Sequence, residues 1–330
     1  MDKLFGNRRP HCAIQAPDGG EESRTVVDVL LILPPMNHRM QRVFAQLGLL
    51  VLLGVVAVAQ PRVLVVQAHP DDETGCAALL FALARYQQAS VDICVITNGE
   101  AGYRYSTLAE QLYGIPLTVD SIGRAHLPRI RKQEMLESAA LLGVRTVFFL
   151  DERDHAYNQS LEETLGVWDT ALVRARLERL LREGRYDLAI GLMPTRSTHG
   201  GHKAATYLLL QAARAVAPSL PVLGVAAADS LVEADREPFA QAADRKPVLV
   251  FDRMASFGFS GRLNWSAVVR WVATVHRSQG LMPLGPIAAR EYYWILAPLQ
   301  PDARRRVEEL VATLQQTLQQ RLPNYREHKE

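Results

Sequence analysis

The chain has 330 residues, 48% hydrophobic and 22% charged, which is ordinary globular composition rather than that of a disordered or fibrous protein. Its net charge of +2 sets up no field that would gather nucleic acid or an anionic membrane surface, and neither is expected as a partner. Three cysteines are too few for a disulfide framework.

Residues 36–60 read MNHRMQRVFAQLGLLVLLGVVAVAQ. His38, Arg39 and Arg42 precede an apolar run from Leu47 to Val56, and Ala57-Val58-Ala59 forms a small-x-small cleavage site. This is a signal-peptide pattern, with an apolar run shorter than the ~20 residues of a spanning helix. Residues 1–59 are therefore read as a leader, with the signal at about 36–59 and translation expected to start at Met36 or Met40. The chain is expected to be exported, periplasmic or extracellular, with no stable membrane span unless the leader stays uncleaved as an anchor.

From residue 60 to 330 we read one catalytic domain, since no Gly/Ser-rich linker divides it. Apolar strand-like runs fall at 62–67, 91–97, 145–150, 187–192 and 221–227. Helical patterns fall between them at about 75–88, 130–142, 169–183 and 202–216. Strands alternating with helices predict an α/β, Rossmann-like doubly wound, mostly parallel sheet with helices on both faces. Near-continuous Val/Ile/Leu runs suit strands covered on both sides. The polar stretch 100–128 is long for a loop and reads as a lid or substrate wall. Further on we expect a helix at about 264–279, a strand at 291–296 and a closing helix at about 302–321. Cys76 and Cys94 read as buried thiols, with a bridge between them the alternative in an exported protein. Trp265, Trp271, Tyr292, Tyr293 and Trp294 fit core positions, with a sugar-stacking face as the alternative.

The chemistry concentrates at two strand ends, where ligands bind in sheets of this kind. The first strand runs into His69-Pro70-Asp71-Asp72-Glu73, three acids and an imidazole that repel or cost burial energy unless something positive compensates. His69 and Asp72 are i and i+3 at the entry to a helix, a spacing that can bring both to one side, with Asp71 left free. The fourth strand runs into His199 and His202, again i and i+3. If the two strands are neighbours, His69, Asp72 and His202 converge. Two imidazoles and a carboxylate with one position left for water make a catalytic zinc site. Glu73 at a helix start needs no more than the positive end of the helix dipole to explain it.

A strand followed by Ala68-His69-Pro70-Asp71-Asp72-Glu73, and later by His199-x-x-His202, resembles the PIG-L/LmbE-type metal-dependent de-N-acetylases. Thr97–Gly102 (TNGEAG) resembles that family's second block, 131–144 its R-x-x-E…A…L-G helix, and 276–279 (HRSQ) a late H-x-S-Q block. The resemblance implies that His69, Asp72 and His202 hold a metal, usually zinc with another divalent ion as the alternative. It implies Asp71 as general base and His199 as the group that stabilises or protonates the tetrahedral intermediate. The substrate class it implies is a small N-acetylated molecule, an amino sugar or related amide, giving acetate and a free amine. Arg131 and Glu134 are an i, i+3 pair on a helix, either solvated or with Arg131 reaching substrate; Arg131 and His276 are the candidate substrate-binding residues. His126 and His155 read as surface residues. One departure stands out: the family often has an acid before its last histidine, where this chain has Gly200-Gly201. Asp154 and Glu100 are the candidates to replace it.

Two other functions fit some of these residues. A 2-His-1-carboxylate set also suits an Fe(II) oxygenase. Loss of the acid at Gly200-Gly201 would suit a carbohydrate-binding protein with a decayed site. A dinucleotide-dependent dehydrogenase is disfavoured, because no G-x-G-x-x-G follows the first strand.

Overall fold

A computed structural model of the chain describes residues 60–231, 235–240, 246–280, 285–297 and 301–326. The expectations for the leader at 1–59, its signal and its start site, lie outside the described residues, as does Cys12. Among the described residues no helix is long and apolar enough to cross a membrane.

The sheet begins with β1, Arg62–Gln67, whose last five residues are all buried. Side chains alternate across a strand, so Val63 and Val65 enter one apolar cluster while Leu64 and Val66 enter another on the opposite face. β2 (Ser90–Thr97), β3 (Thr146–Glu152), β4 (Leu188–Leu192) and β5 (Val222–Ala228) run parallel to it. β9 (Arg290–Ala297) runs antiparallel to β5, and β6 (Leu249–Asp252) pairs antiparallel with β9 and so parallels the first five strands, completing the order β3-β2-β1-β4-β5-β9-β6. A separate hairpin pairs β7, Ser256–Phe257, with β8, Leu263–Asn264. The predicted α/β sheet is what forms, with β6 and the hairpin as additions.

Helices cover both faces. On one side pack α1 (Ala77–Phe81), α3 (Asp120–Leu142), α7 (Ser266–Val275) and α8 (Pro301–Arg321). On the other lie α5 (Thr170–Gly184) and α6 (Gly200–Val216). The short helices α2 (Thr107–Tyr113) and α4 (Leu161–Val167) shape the loops above the strand ends. α3 starts ten residues before its predicted beginning and carries Pro128 inside it. Proline there removes one hydrogen bond, but burial of Leu127 and Ile130 on either side keeps the helix continuous. The polar stretch 100–128 is consequently more regular than its composition suggests.

Cys76 and Cys94 are free buried thiols in clusters on opposite sides of the sheet, which excludes the bridge between them. Trp265, Tyr292, Tyr293 and Trp294 are core residues, whereas Trp271 is 52% exposed.

Strand order positions the site. From β1 the chain moves outward to β2 and β3, then returns to lay β4 on the other side of β1. β1 and β4 pair directly, with Val63, Leu64 and Val65 opposite Leu188, Ala189 and Ile190. The loops after them diverge at this switch point and leave a crevice beyond the carboxyl ends.

Candidate metal centre

Asp72 sits at the middle of the crevice. Its Oδ2 accepts backbone N–H groups from Ala68 at 3.0 Å and His69 at 2.9 Å, which fixes the carboxylate. Its Oδ1 lies 3.0 Å from Nε2 of His202, and His69 Nδ1 lies 3.5 Å from Oδ2. The condition set by the sequence, that loops 130 residues apart meet, is satisfied. The other ring nitrogens face outward to partners: His69 Nε2 lies 3.6 Å from Asp154 Oδ1, and His202 Nδ1 lies 3.1 Å from Thr198 Oγ1. An imidazole facing a carboxylate or hydroxyl from behind is the arrangement that orients histidines toward a cation.

His199 completes a cluster. The His69, His199 and His202 rings lie 4.9 to 5.4 Å apart, and one nitrogen from each falls within 4.8 Å of the others. Two donor sets therefore share this crevice, one with Asp72 and one with three histidines. His199 caps α6 at the rim, stacked on the exposed ring of Tyr157 at 5.2 Å. The donors of either set suit a divalent metal of the zinc class.

The charges follow from burial and contact. Burial by itself would lower the His69 pKa, but the Asp72 and Asp154 carboxylates outweigh it and raise it to about 10. Burial would raise Asp72; His202 and His69 outweigh it and hold the carboxyl well below the usual range. Asp71 is raised to about 6 by burial, against the pull of Arg131 and with a further push from Asp72. His199 is lowered to about 4 by burial, with His69 and His202 adding to the effect. Held neutral in this way, His199 can donate a hydrogen bond.

Two expected substrate contacts lie elsewhere. Arg131 is 2% exposed and donates to Asp71 Oδ2 at 2.7 Å and to the carbonyls of Pro70 and Gly99. His276 is fully buried, with Nε2 2.5 Å from Glu73 Oε1. With no surface turned to the crevice, both act from beneath it. A charged residue inside a motif reads as a ligand contact in sequence; only packing reveals that it faces inward. Glu73 is likewise buried, and its partner is His276 and not the helix dipole alone.

Asp154 fills part of the gap left by the missing acid, but its contact is to His69 and not His199. Glu100 supports it by accepting the Asp154 amide N–H at 3.1 Å. Gly201 lies between the histidines: a Cβ there would be 3.0 Å from His199 Nδ1 and 3.2 Å from His69 Cε1. Gly200 is forced by closeness, since a Cβ would meet Asn158 Oδ1 at 2.2 Å. His126 is exposed, and His155 lies 3.4 Å from Glu163 at the surface. Sequence reasoning missed Ser138, Tyr157 and Lys203. Ser138 alone had a signal, its i+7 spacing from Arg131 on one helix face.

Residues 64–213 match the PIG-L family model, described as GlcNAc-PI de-N-acetylase. The matched region holds both loops of the crevice and ends within α6. Among curated proteins, the probable N-acetyl-alpha-D-glucosaminyl L-malate deacetylase 2 of Bacillus subtilis (strain 168) is 27% identical over 151 residues. That alignment covers 46% of this chain and 60% of the relative, less than two thirds of its length. Among solved structures, an N,N'-diacetylchitobiose deacetylase from Pyrococcus horikoshii gives a TM-score of 0.47 at 18% identity, covering 80% of this chain and 94% of that one. The 4-carboxy-2-hydroxymuconate hydratase GalB from Pseudomonas putida KT2440 gives 0.45 at 15% identity, covering 72% of this chain and 97% of that one.

Proposed function

We propose that this chain is a metal-dependent de-N-acetylase that hydrolyses an N-acetylated amino sugar or a related small amide. The observation that carries the reading is the meeting of His69, Asp72 and His202 across the β1–β4 switch point, with Asp71 anchored beside them. The match of residues 64–213 to the PIG-L family model supports it.

In this reading His69, Asp72 and His202 hold the cation, with zinc as the first candidate. A divalent ion supplies an activated water and polarises an amide carbonyl. Asp71 accepts the proton of the attacking water. Its pKa of about 6 leaves it mostly ionised at neutral pH yet basic enough for the task. Arg131 fixes that carboxylate by a charge-assisted hydrogen bond. Asp71 then returns the proton to the departing amine. Neutral His199 donates a hydrogen bond to the oxygen that gains charge. Export, proposed from the leader pattern, would place this activity outside the cytoplasm.

The test is acetate release from N-acetylglucosamine by the full chain, before and after chelation and after return of each divalent metal. Release that chelation abolishes and zinc restores agrees with the reading. Release that persists after the metal has been removed, as measured by elemental analysis, sinks it.

A further inference from the structure

Asp71 has φ 120° and ψ −17°, a backbone region that residues with a side chain rarely adopt. Such a conformation persists only where its surroundings determine it fully. Here they do. The Asp71 amide N–H donates to Glu73 Oε2 at 3.1 Å. Its carbonyl accepts from the Thr74 amide at 3.1 Å and from Thr74 Oγ1 at 2.8 Å. Its carboxylate accepts from Arg131 at 2.7 Å, and the same guanidinium grips the Pro70 carbonyl.

Glu73 is the centre of this arrangement. It is fully buried, and both of its oxygens are saturated. Oε2 accepts the Asp71 amide and Gln67 Nε2 at 3.0 Å. Oε1 accepts Ser138 Oγ at 2.6 Å and meets His276 Nε2 at 2.5 Å. The turn that carries His276 is tied down in turn. Glu134 accepts the Ser278 amide at 2.8 Å and its hydroxyl at 2.6 Å. One face of α3 thus presents Arg131 and Ser138 to the underside of the β1 loop, and Glu134 between them to the turn that carries His276.

We propose that Glu73 and His276 are positioning residues for Asp71. They form a buried carboxylate–imidazole pair whose second oxygen holds the Asp71 amide, and so fixes the strained turn that aims the base. Both are sealed from the crevice and act only through Asp71. The inference rests on the reading of Asp71 as the general base and adds the part that sets its aim. A pair that merely stapled α7 to the β1 loop would cost stability when cut, without changing how Asp71 acts.

The experiment compares His276→Leu, His276→Gln, Asp71→Asn and the double variant Asp71→Asn/His276→Leu in the full chain. Three quantities are read: kcat and KM for acetate release from N-acetylglucosamine, bound metal, and amide exchange across residues 66–76. His276→Leu is expected to lower kcat about 100-fold, as a small misplacement of a reacting group does, with KM little changed and metal retained. Exchange across 66–76 should quicken, and His276→Gln, which keeps a donor, should recover most of both. The double variant should be no slower than Asp71→Asn alone. Ser138→Ala removes one hydroxyl and replaces His276→Leu in the series if that variant does not fold. Losses that multiply in the double variant overturn the proposal, as does unchanged exchange across 66–76. If Asp71→Asn keeps its turnover, the base assignment fails, and the exchange measurement alone then decides whether the pair holds the loop.

Discussion

The two loops that meet in the crevice are held in opposite ways. The β1 loop is gripped from below: Arg131 and Ser138 of α3 and His276 at the end of α7 are buried side chains that reach into it, the last two meeting its own buried Glu73. The β4 loop is gripped from the side, by backbone bonds of Pro194 and Arg196 to Glu237 and Asp235, by Gln159 at the Ser197 carbonyl, and by one buried cation. Lys203, 2% exposed, donates from Nζ to the Gln159 carbonyl at 2.7 Å, the Arg196 carbonyl at 2.8 Å and Glu237 Oε1 at 2.7 Å. His69 and Asp72 on the first loop are buried, while His199 and His202 on the second are partly open. The contrast assigns rigidity to the side that carries the base, and access to the side where a substrate must enter.

The largest expected effects fall where the loops touch. Asp72→Ala and His202→Ala should each lose the metal and reduce acetate release to background, read by elemental analysis beside the assay. His199→Ala should keep the metal; loss there would shift the ligand set to the three histidines. Asp71→Asn, on the rigid side, should retain metal while turnover falls about 10²- to 10⁴-fold, the usual contribution of a general base. On the adaptable side, Lys203→Met removes one cation and leaves three acceptors unpaired. We expect a loss of about 2–3 kcal/mol in denaturant unfolding, below the ~3–5 kcal/mol of a fully buried pair because Glu237 is partly solvated. Exchange across 66–76 should be unaffected by it. If that loop loosens as well, the two anchors are not independent and the contrast fails.

The same contrast explains what was legible in the sequence. The metal side was readable: His69 with Asp72 and His199 with His202 stand at helical spacing after strand-like runs, and local pattern reports local geometry. The five parallel strands were readable for the same reason. The anchors were not, because burial of a polar side chain is a tertiary property. Arg131 and His276 were read as substrate contacts and Glu73 as a helix-dipole residue, until the packing of α3 and α7 under the β1 loop showed what they face. Lys203 follows a metal-type histidine and looks like any helix-surface lysine. β6 was passed over although 248–251 is an apolar run, and the first residues of α3 were assigned to the polar stretch 100–128 because their composition is that of a loop.

A smaller effect bears on the rigid side. Asp71 must be ionised to accept a proton, so kcat/KM should rise with pH through about 6. Arg131 lowers that pKa against the effect of burial. Arg131→Met should therefore move the rising limb to higher pH, read from a pH profile on folded, metal-loaded enzyme. A limb that stays in place would mean that another group controls it.

The smallest effect belongs to the open side. Tyr157 is 68% exposed, and its ring lies 5.2 Å from that of His199 with 24° between the planes. Contacts of this kind contribute about 0.5–1.5 kcal/mol, so Tyr157→Ala should lower kcat/KM by no more than about tenfold. The stacked face orients His199 without bonding it, and His199 Nδ1 has no hydrogen-bond partner to hold the ring otherwise. Most of the loss should therefore fall on kcat, through a donor that no longer points one way, and Tyr157→Phe should restore it because the stacked ring remains. A loss confined to KM, with Tyr157→Phe as poor as alanine, would instead make the Tyr157 hydroxyl a substrate contact and give the open loop a binding role in place of an orienting one.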